Sequence, residues 1–407
     1  MKLRDYQIDI AKNACDILKK LHIVYLSAEV RTGKTLMALE TARLYSAKNV
    51  LFLTKKKAIS SIDADYANFG YAEHYSITII NNEQLHNIKG DFDFVVHDES
   101  HRFGNFPKPP KQAVEFKKKF SSLPLIMLSG TPTPESYSQI YHQFWVSDKS
   151  PFRNWKNFYS WAKSFVKIYQ INYGYGLANQ YDKALKENIE PFVAPYFIRF
   201  TQAQAGFKTE VKEHILHVQM AEITYNLAQR LSKDKVIEGK TEVILADTAV
   251  KEMNKLHQIF SGTCKFESGN AQTFDLTKAV FIIDYFKDTK IGIFYKFKQE
   301  YSALKEIFGD KLTDNLDEFN STDKSIALQI LSGREGISLK NAKYLVYYNL
   351  DFSATSYWQS RDRMSTMDRP LNEVYYIFTK NGIEDKIWKS LMKKKSYTVN
   401  QFEKDYA

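Results

Sequence analysis

Val24-Tyr25-Leu26-Ser27-Ala28-Glu29-Val30-Arg31-Thr32-Gly33-Lys34-Thr35 is an apolar run that breaks into a loop and ends on Gly-Lys-Thr before a helical pattern. A bend at the mouth of a strand aims backbone N–H groups at a polyphosphate, where a lysine bridges the outer phosphates and a threonine hydroxyl holds Mg²⁺. Gly33, Lys34 and Thr35 take those places, so the stretch reads as a phosphate-binding loop and implies nucleotide hydrolysis. The full pattern opens on Gly, here Ala28, and bulky Glu29, Val30 and Arg31 fill the loop. A chance Gly-Lys-Thr at a helix start is the competing reading.

Outward from this loop, short apolar runs alternate with helical patterns, the strand candidates being 23–26, 50–53, 77–80, 92–97 and 125–128. Continuous apolar runs separated by helices predict a parallel sheet covered on both faces. A second block of the same kind begins near Leu276, with strands expected at 291–295, 326–331, 344–349 and 374–378. Between them the chain is rich in aromatics (Trp145, Phe152, Trp155, Phe158, Tyr159, Trp161, Phe165). Aromatics at helical spacing form a core more often than a base-stacking surface, and core is the expectation. Residues 219–258 continue as amphipathic helix, and 261–273 reads as a connection. The organisation expected is α/β: domain 1 over 1–140, helical, aromatic-rich elaborations over 141–275, and domain 2 over 276–407.

The bulk properties agree with a folded chain. Of 407 residues, 44% are hydrophobic and 26% charged, which argues against disorder. A net charge of +10 permits a phosphate-bearing partner without requiring one. Cys15 and Cys264 have no ligand-spaced neighbours, so no zinc site or disulfide framework is readable. No apolar run nears the ~20 residues needed to cross a bilayer, so no membrane partner is expected and a reducing cytoplasm is the default.

The run at 92–96 ends in His97-Asp98-Glu99-Ser100-His101. Residues just past the carboxyl end of a parallel strand line the ligand crevice. Asp98 is the expected holder of Mg²⁺ on the phosphates that Lys34 and Thr35 grip, and Glu99 the group expected to polarise the attacking water; two carboxylates in an acidic turn are the competing reading.

Asp98-Glu99-Ser100-His101 resembles the DEAH-type second motif of superfamily 2 helicases, and other segments extend the resemblance in order along the chain. Leu3-Arg4-Asp5-Tyr6-Gln7 resembles the adenine-reading Gln motif, implying nucleotide contacts from Arg4 and Gln7. The stretch from Ala28 to Thr35 resembles the first motif, and Leu128-Ser129-Gly130-Thr131-Pro132 the third, which couples hydrolysis to movement. His101, Ser129 and Thr131 are thereby implied as coupling residues. Ile79-Ile80-Asn81-Asn82-Glu83-Gln84-Leu85 sits where the family contacts a nucleic-acid backbone, which implicates Asn82. Ile293-Phe294-Tyr295-Lys296-Phe297 resembles the fourth motif, Ser332-Gly333-Arg334-Glu335-Gly336 onward the fifth, and Tyr357-Trp358-Gln359-Ser360-Arg361-Asp362-Arg363 the sixth. These imply nucleic-acid contacts from Lys296 and Ser332, a nucleotide contact at Gly336, and coupling through Gln359.

Within superfamily 2 the likeness is to the Swi/Snf-like translocase branch, on the phosphate loop, the segment from Pro191-Phe192 to Ile198-Arg199, and Gly382-Ile383-Glu384-Asp385-Lys386-Ile387. The resemblance implies two RecA-like domains with helical insertions, ATP and Mg²⁺ as cofactors, and an ATP-dependent DNA translocase or helicase. A bare motor of this size is similar to those of bacteriophages and other mobile elements, acting in replication, recombination or repair. That implies a host cytoplasm for a phage-encoded protein. Arg363 is the candidate finger for the γ-phosphate's transition-state charge.

Two departures stand out. The family's second arginine of the sixth motif is replaced by Thr366, with Arg369 three residues further on as a possible substitute. Arg31 occupies a place where many relatives carry Gly, either to add a contact to ATP or to pair outward with a carboxylate. Lys55-Lys56-Lys57 follows the strand at 50–53, where a solvated loop and backbone contacts from Lys55 and Lys56 are both open. The motifs do not separate DNA from RNA. A weakly hydrolysing nucleic-acid clamp or scaffold is the rival of a different class, with partner proteins unspecified.

Overall fold

The computed structural model describes residues 2–172, 176–208, 210–333, 337–364, 369–393 and 405. The chain forms two compact units, Met1–Gly206 and Phe207–Ala407. The stretch 141–275, expected as one set of elaborations, is therefore divided between them.

In the first unit the strands are β1 (Ile23–Ala28), β2 (Asn49–Thr54), β3 (Ser76–Asn81), β4 (Phe94–Asp98), β5 (Leu125–Leu128), a hairpin of β6 (Tyr169–Asn172) and β7 (Leu177–Gln180), and β8 (Phe197–Phe200). Six of them make one sheet in the order β3-β2-β4-β5-β1-β8, and every pairing in it is parallel. Strand periodicity explains why both faces are covered. Val24, Leu26, Phe52, Val96 and Leu128 enter one core, while Ile23, Tyr25, Leu51, Val95 and Met127 enter the other.

The aromatic segment forms the second of those cores. Phe152, Phe158, Trp161 and Phe165 are buried there, with Trp161 fully enclosed, whereas Tyr159 remains exposed. Ring pairs such as Tyr141 with Trp161 (5.2 Å) and Phe152 with Trp161 (5.6 Å) knit it together. The segment is not wholly helical, since it contributes the β6–β7 hairpin and the edge strand β8.

The second unit holds β9 (Glu210–Val218), hairpins β10 (Val236–Glu238) with β11 (Val243–Leu245) and β12 (Thr263–Lys265) with β13 (Ala271–Thr273), then β14 (Ile291–Tyr295), β15 (Leu312–Thr313), β16 (Ser325–Gln329), β17 (Tyr344–Tyr347) and β18 (Leu371–Thr379). Its six-stranded parallel sheet runs β15-β16-β14-β17-β18-β9. The α/β expectation of two RecA-like parallel-sheet domains is thus met.

Two sequence readings are corrected. The helix expected over 219–258 is interrupted, because Glu222–Asp234 ends at Lys235 in the left-handed region (φ 59°) and the β10–β11 hairpin follows before Ala249–Phe260. The β-branched residues Val236, Ile237, Val243 and Ile244, flanking a turn at Gly239, favour strand there. The connection at 261–273 likewise carries a hairpin, β12–β13.

A fully buried ion pair joins Lys278, in helix Thr277–Phe286, to Glu384, in helix Glu384–Met392. Lys278→Met would strand the carboxylate, and is expected to lower stability by about 3–5 kcal/mol, with Lys278→Met/Glu384→Leu recovering most of it, as read by denaturant midpoints. A fragment ending at 206 is expected to unfold cooperatively. One ending at 140 lacks β8 and the aromatic core, and is expected to show no such transition by calorimetry.

Candidate active site

The carboxyl ends of five parallel strands carry the first unit's motif residues. The phosphate loop follows β1, Lys55 follows β2, Asn82 follows β3, Asp98 closes β4, and Ser129 follows β5. The sheet order places β4 between β2 and β5, so residues far apart in sequence converge on one edge.

The loop is built around Gly33, which has φ +84° and caps helix Lys34–Tyr45. A Cβ there would stand 2.2 Å from Gln7 Nε2, so a larger residue would have to displace that amide as well as adopt a positive φ, both of which favour glycine. Gln7 is 4% exposed, and its Oε1 accepts the Arg4 N–H at 2.9 Å. Arg4 Nη1 in turn donates to Tyr6 Oη (3.0 Å), which donates to the Thr32 carbonyl (3.2 Å). The Gln-motif residues are therefore physically fastened to the loop. Lys34 Nζ donates to the carbonyls of Ala28 (2.7 Å) and Glu29 (3.1 Å), while Thr35 occupies the first turn of the helix.

β8 holds the loop from the other side, a role not visible from spacing because its residues lie some 170 positions away. Glu29 N–H donates to the Phe200 carbonyl (2.9 Å), the Gln202 N–H donates to Glu29 Oε2 (2.7 Å), and Gln202 Nε2 donates to the Val30 carbonyl (3.0 Å). Arg31 has φ +62°, a conformation that costs a non-glycine residue about 1 kcal/mol. This accounts for glycine being suited to the position without assigning the side chain a ligand.

Asp98 and Glu99 sit side by side at the end of β4. Asp98 Oδ2 accepts from Thr54 Oγ1 at 2.8 Å, and Oδ1 from the Glu99 N–H at 3.0 Å. Burial, then the neighbouring Glu99 charge, push the Asp98 carboxyl up to about 6, against the pull of Thr54, Lys34 and Lys55. Glu99 adopts a left-handed backbone (φ 54°) that turns the chain sharply. Its carboxylate lies 3.6 Å from Lys55 Nζ and 3.3 Å from His101 Nδ1. His101 Nδ1 is also 2.9 Å from Ser129 Oγ, which accepts the Thr131 N–H at 3.1 Å. The acidic pair and the segment after β5 thus share one polar chain. Thr131 Oγ1 is buried with no hydrogen-bond partner among the described residues.

The donor set suits Mg²⁺, a hard cation that takes a few carboxylate and hydroxyl oxygens alongside phosphate and water. A half-buried carboxylate made less acidic by desolvation and then by a second carboxylate is an electrostatic environment that a cation relieves. Asp98 and the Thr35 hydroxyl are the groups that would hold it.

Other expected positions turn out differently. Asn82 is 3% exposed, and its amide bridges the Thr54 carbonyl (3.1 Å) and His97 Nε2 (3.1 Å), so it braces three strand ends instead of presenting a side chain to a backbone. Lys55 faces Glu99, whereas Lys56 is exposed in the turn Lys56–Ala58. Lys296 lies 3.3 Å from Asp351 and 3.3 Å above the Phe352 ring, and burial lowers its pKa. That ammonium is enclosed by its own unit.

In helix Ala354–Arg361, Gln359 is buried and Arg361 pairs with Glu213 of β9 (3.1 Å), which also accepts from Tyr357 and Tyr376 (2.8 Å each). Arg363 Nη1 donates to the Ile337 carbonyl (3.4 Å). Arg369, the candidate substitute, donates to the carbonyls of Lys340, Ala342, Lys343 and Leu371 at 2.7–3.2 Å and so clasps its own loop. Ser332 lies in helix Ile330–Gly333; Gly336 and Thr366 lie outside the described residues.

Comparison with known proteins decides the family. The model of the SNF2-related domain matches residues 65–268, half of the 407-residue chain. The chain belongs to the SNF2-related family. The match takes in Asp98, Glu99, His101, Ser129 and Thr131, and membership in this Swi/Snf-like branch of superfamily 2 supports, in general terms, an ATPase that works with nucleic acid.

Among solved structures, the chain is similar to the Sulfolobus solfataricus SWI2/SNF2 ATPase core domain, at 15% identity and TM-score 0.43 over 97% of this chain and 89% of that one. It is also similar to the ATP-dependent Type ISP restriction-modification enzyme LlaBIII bound to DNA, at 13% identity and TM-score 0.52 over 93% of this chain and 28% of that one. No curated protein sequence matches the chain.

The contact between Gly33 and Gln7 makes a two-step prediction. Gly33→Ala is expected to weaken ATP binding by about tenfold or more through strain and the clash with the amide. Adding Gln7→Ala should recover part of that loss. Calorimetric titration with ATP checks both, and no recovery would show that the amide is not what excludes a side chain.

Proposed function

We propose that this protein is a DNA-stimulated ATPase that moves along nucleic acid, serving replication, recombination or repair. The observation that carries the reading is the polar chain from Asp98 and Glu99 through His101 to Ser129 and Thr131, on the strand edge that also holds Lys34. It joins the groups suited to hydrolysis to a segment able to report it.

In this reading Lys34 and the loop N–H groups grip the phosphates, and Gln7 and Arg4 line the base end of the loop. Asp98 and the Thr35 hydroxyl would hold Mg²⁺, whose charge would offset that of the phosphates. Glu99 orients the attacking water and takes its proton, with Lys55 and His101 holding the carboxylate in place. Arg363 is the proposed source of positive charge for the transition state, and Gln359 a coupling residue. Lys56 and Ser332 are the proposed contacts to a nucleic-acid backbone. Contacts of that kind track a strand without reading bases, so binding should be sequence-tolerant and weaken with salt.

The test is steady-state ATP hydrolysis with single-stranded DNA, duplex DNA and RNA. Stimulation by DNA is expected, with Lys34→Ala and Glu99→Gln each lowering stimulated turnover by about a hundredfold or more. Stimulated turnover surviving Lys34→Ala would refute the assignment. Stronger stimulation by RNA would make the protein an RNA helicase, and tight ATP-independent binding with negligible turnover would make it a clamp.

A further inference from the structure

At the opposite end of β1 from the phosphate loop, a hollow of about 440 Å³ opens in the first unit. Its lining includes Lys20, His22, Lys149, Arg153, Asn154 and Tyr196, and no lining residue carries a carboxylate. His22 immediately precedes β1 and Glu29 follows it. Six strand residues at about 3.3 Å each separate the two ends by roughly 20 Å. The hollow is therefore not an extension of the nucleotide loop.

Two independent segments bring the cations together. Lys20 belongs to the last turn of helix Asp5–Leu21, where a helix dipole by itself favours a cation. That argument does not reach Lys149 and Arg153, which come from a loop more than a hundred residues later. This loop is held firmly: Ser150 is 4% exposed and its Oγ accepts the Phe152 N–H (3.1 Å), while Phe152 is anchored in the aromatic core. Arg153 N–H donates to the Ser150 carbonyl (3.3 Å), which fixes the stem of the arginine on a turn. The nearby Asp148 carboxylate accepts from the Ser121 hydroxyl (2.9 Å) and is not among the lining residues.

His22 is held in a left-handed conformation (φ 62°) by its N–H to the Leu18 carbonyl (2.8 Å) and by its own carbonyl, which accepts the Leu125 N–H (2.9 Å). Its Nδ1 is buried with no hydrogen-bond partner among the described residues. The fixed Tyr196 ring, packed edge-on against Phe144 at 5.4 Å, forms an aromatic wall.

We propose that this hollow is a second phosphate-binding site, sized for a nucleotide unit and separate from the ATP loop. Lys20, Lys149 and Arg153 neutralise the anion, His22 donates from its ring, and Asn154 adds an amide. The shared chemistry is the phosphate group, whose source is either a nucleic-acid backbone or a free phosphorylated molecule.

The test uses the full chain and two probes, pyrophosphate by calorimetric titration and a short fluorescent single-stranded oligonucleotide by anisotropy. Lys34→Ala is the background, so that the ATP loop contributes little to pyrophosphate binding. Lys149→Gln/Arg153→Gln is expected to weaken pyrophosphate by about tenfold, while the matched removal of two exposed charges elsewhere on the unit, Lys163→Gln/Lys167→Gln, costs less than about twofold. If the oligonucleotide weakens in parallel and pyrophosphate displaces it, the source is a nucleic-acid backbone. If only pyrophosphate weakens, it is a free phosphorylated ligand. Unchanged binding of both probes, or an equal loss in the matched control, would overturn the proposal. All these readouts are binding measurements, so they stand apart from whether ATP hydrolysis responds to DNA.

Discussion

Two carboxylates forced together at the end of a buried strand are the constraint on which the first unit's site turns. Asp98 cannot ionise as readily as an exposed aspartate, because burial and Glu99 oppose it. The neighbouring strands compensate: Thr54 from β2 donates to it, Lys55 balances Glu99, and Lys34 adds charge from the loop after β1. The arrangement needs β2, β4, β5 and β1 as successive neighbours, which is the order the sheet adopts. A cation and a polyphosphate are the partners this unevenly charged edge is suited to.

The second unit distributes its polarity differently. Lys278 and Glu384 are paired out of reach of water, Asn349 joins His257 to Glu300, and Lys296 is enclosed by Asp351 and Phe352. Groups of this kind fix one packing of their helices rather than meeting solvent. Resemblance in sequence implies a nucleic-acid contact from Lys296 and offers Arg369 as a substitute for the arginine missing at Thr366; in the fold Lys296 lies against Asp351 and Phe352, and Arg369 clasps its own loop. Motif position locates a residue on a strand edge; it does not say which neighbours reach it first.

Much of the fold was legible because a buried parallel strand is apolar at every position and so stands out from helices. The alternation of Val24 and Leu26 against Ile23 and Tyr25 only decides which core each joins. The loop is legible through Gly33-Lys34-Thr35, and the positive φ and the nearby Gln7 amide explain why the first of these is glycine. β9 was missed because half of it is polar, as an edge strand's exposed side allows, and its role emerges only from Glu213 receiving Tyr357, Tyr376 and Arg361. Gln202 was invisible for a different reason. A hydrogen bond to Glu29 across 173 positions leaves no local pattern.

Each unit closes its sheet by pairing its first strand with its last, β1 with β8 and β9 with β18, the latter in unbroken register from Glu210 to Val218. Contacts so distant in sequence are entropically slow to form. During synthesis the loop after β1 leaves the ribosome some 170 residues before the backbone of Phe200 and Gln202 that braces it. At about 5–20 residues per second, the nascent loop spends roughly ten seconds or more without that support. The loop after β1 is thus translated well before it is finished, and the aromatic core that delivers β8 to it acts as the timekeeper.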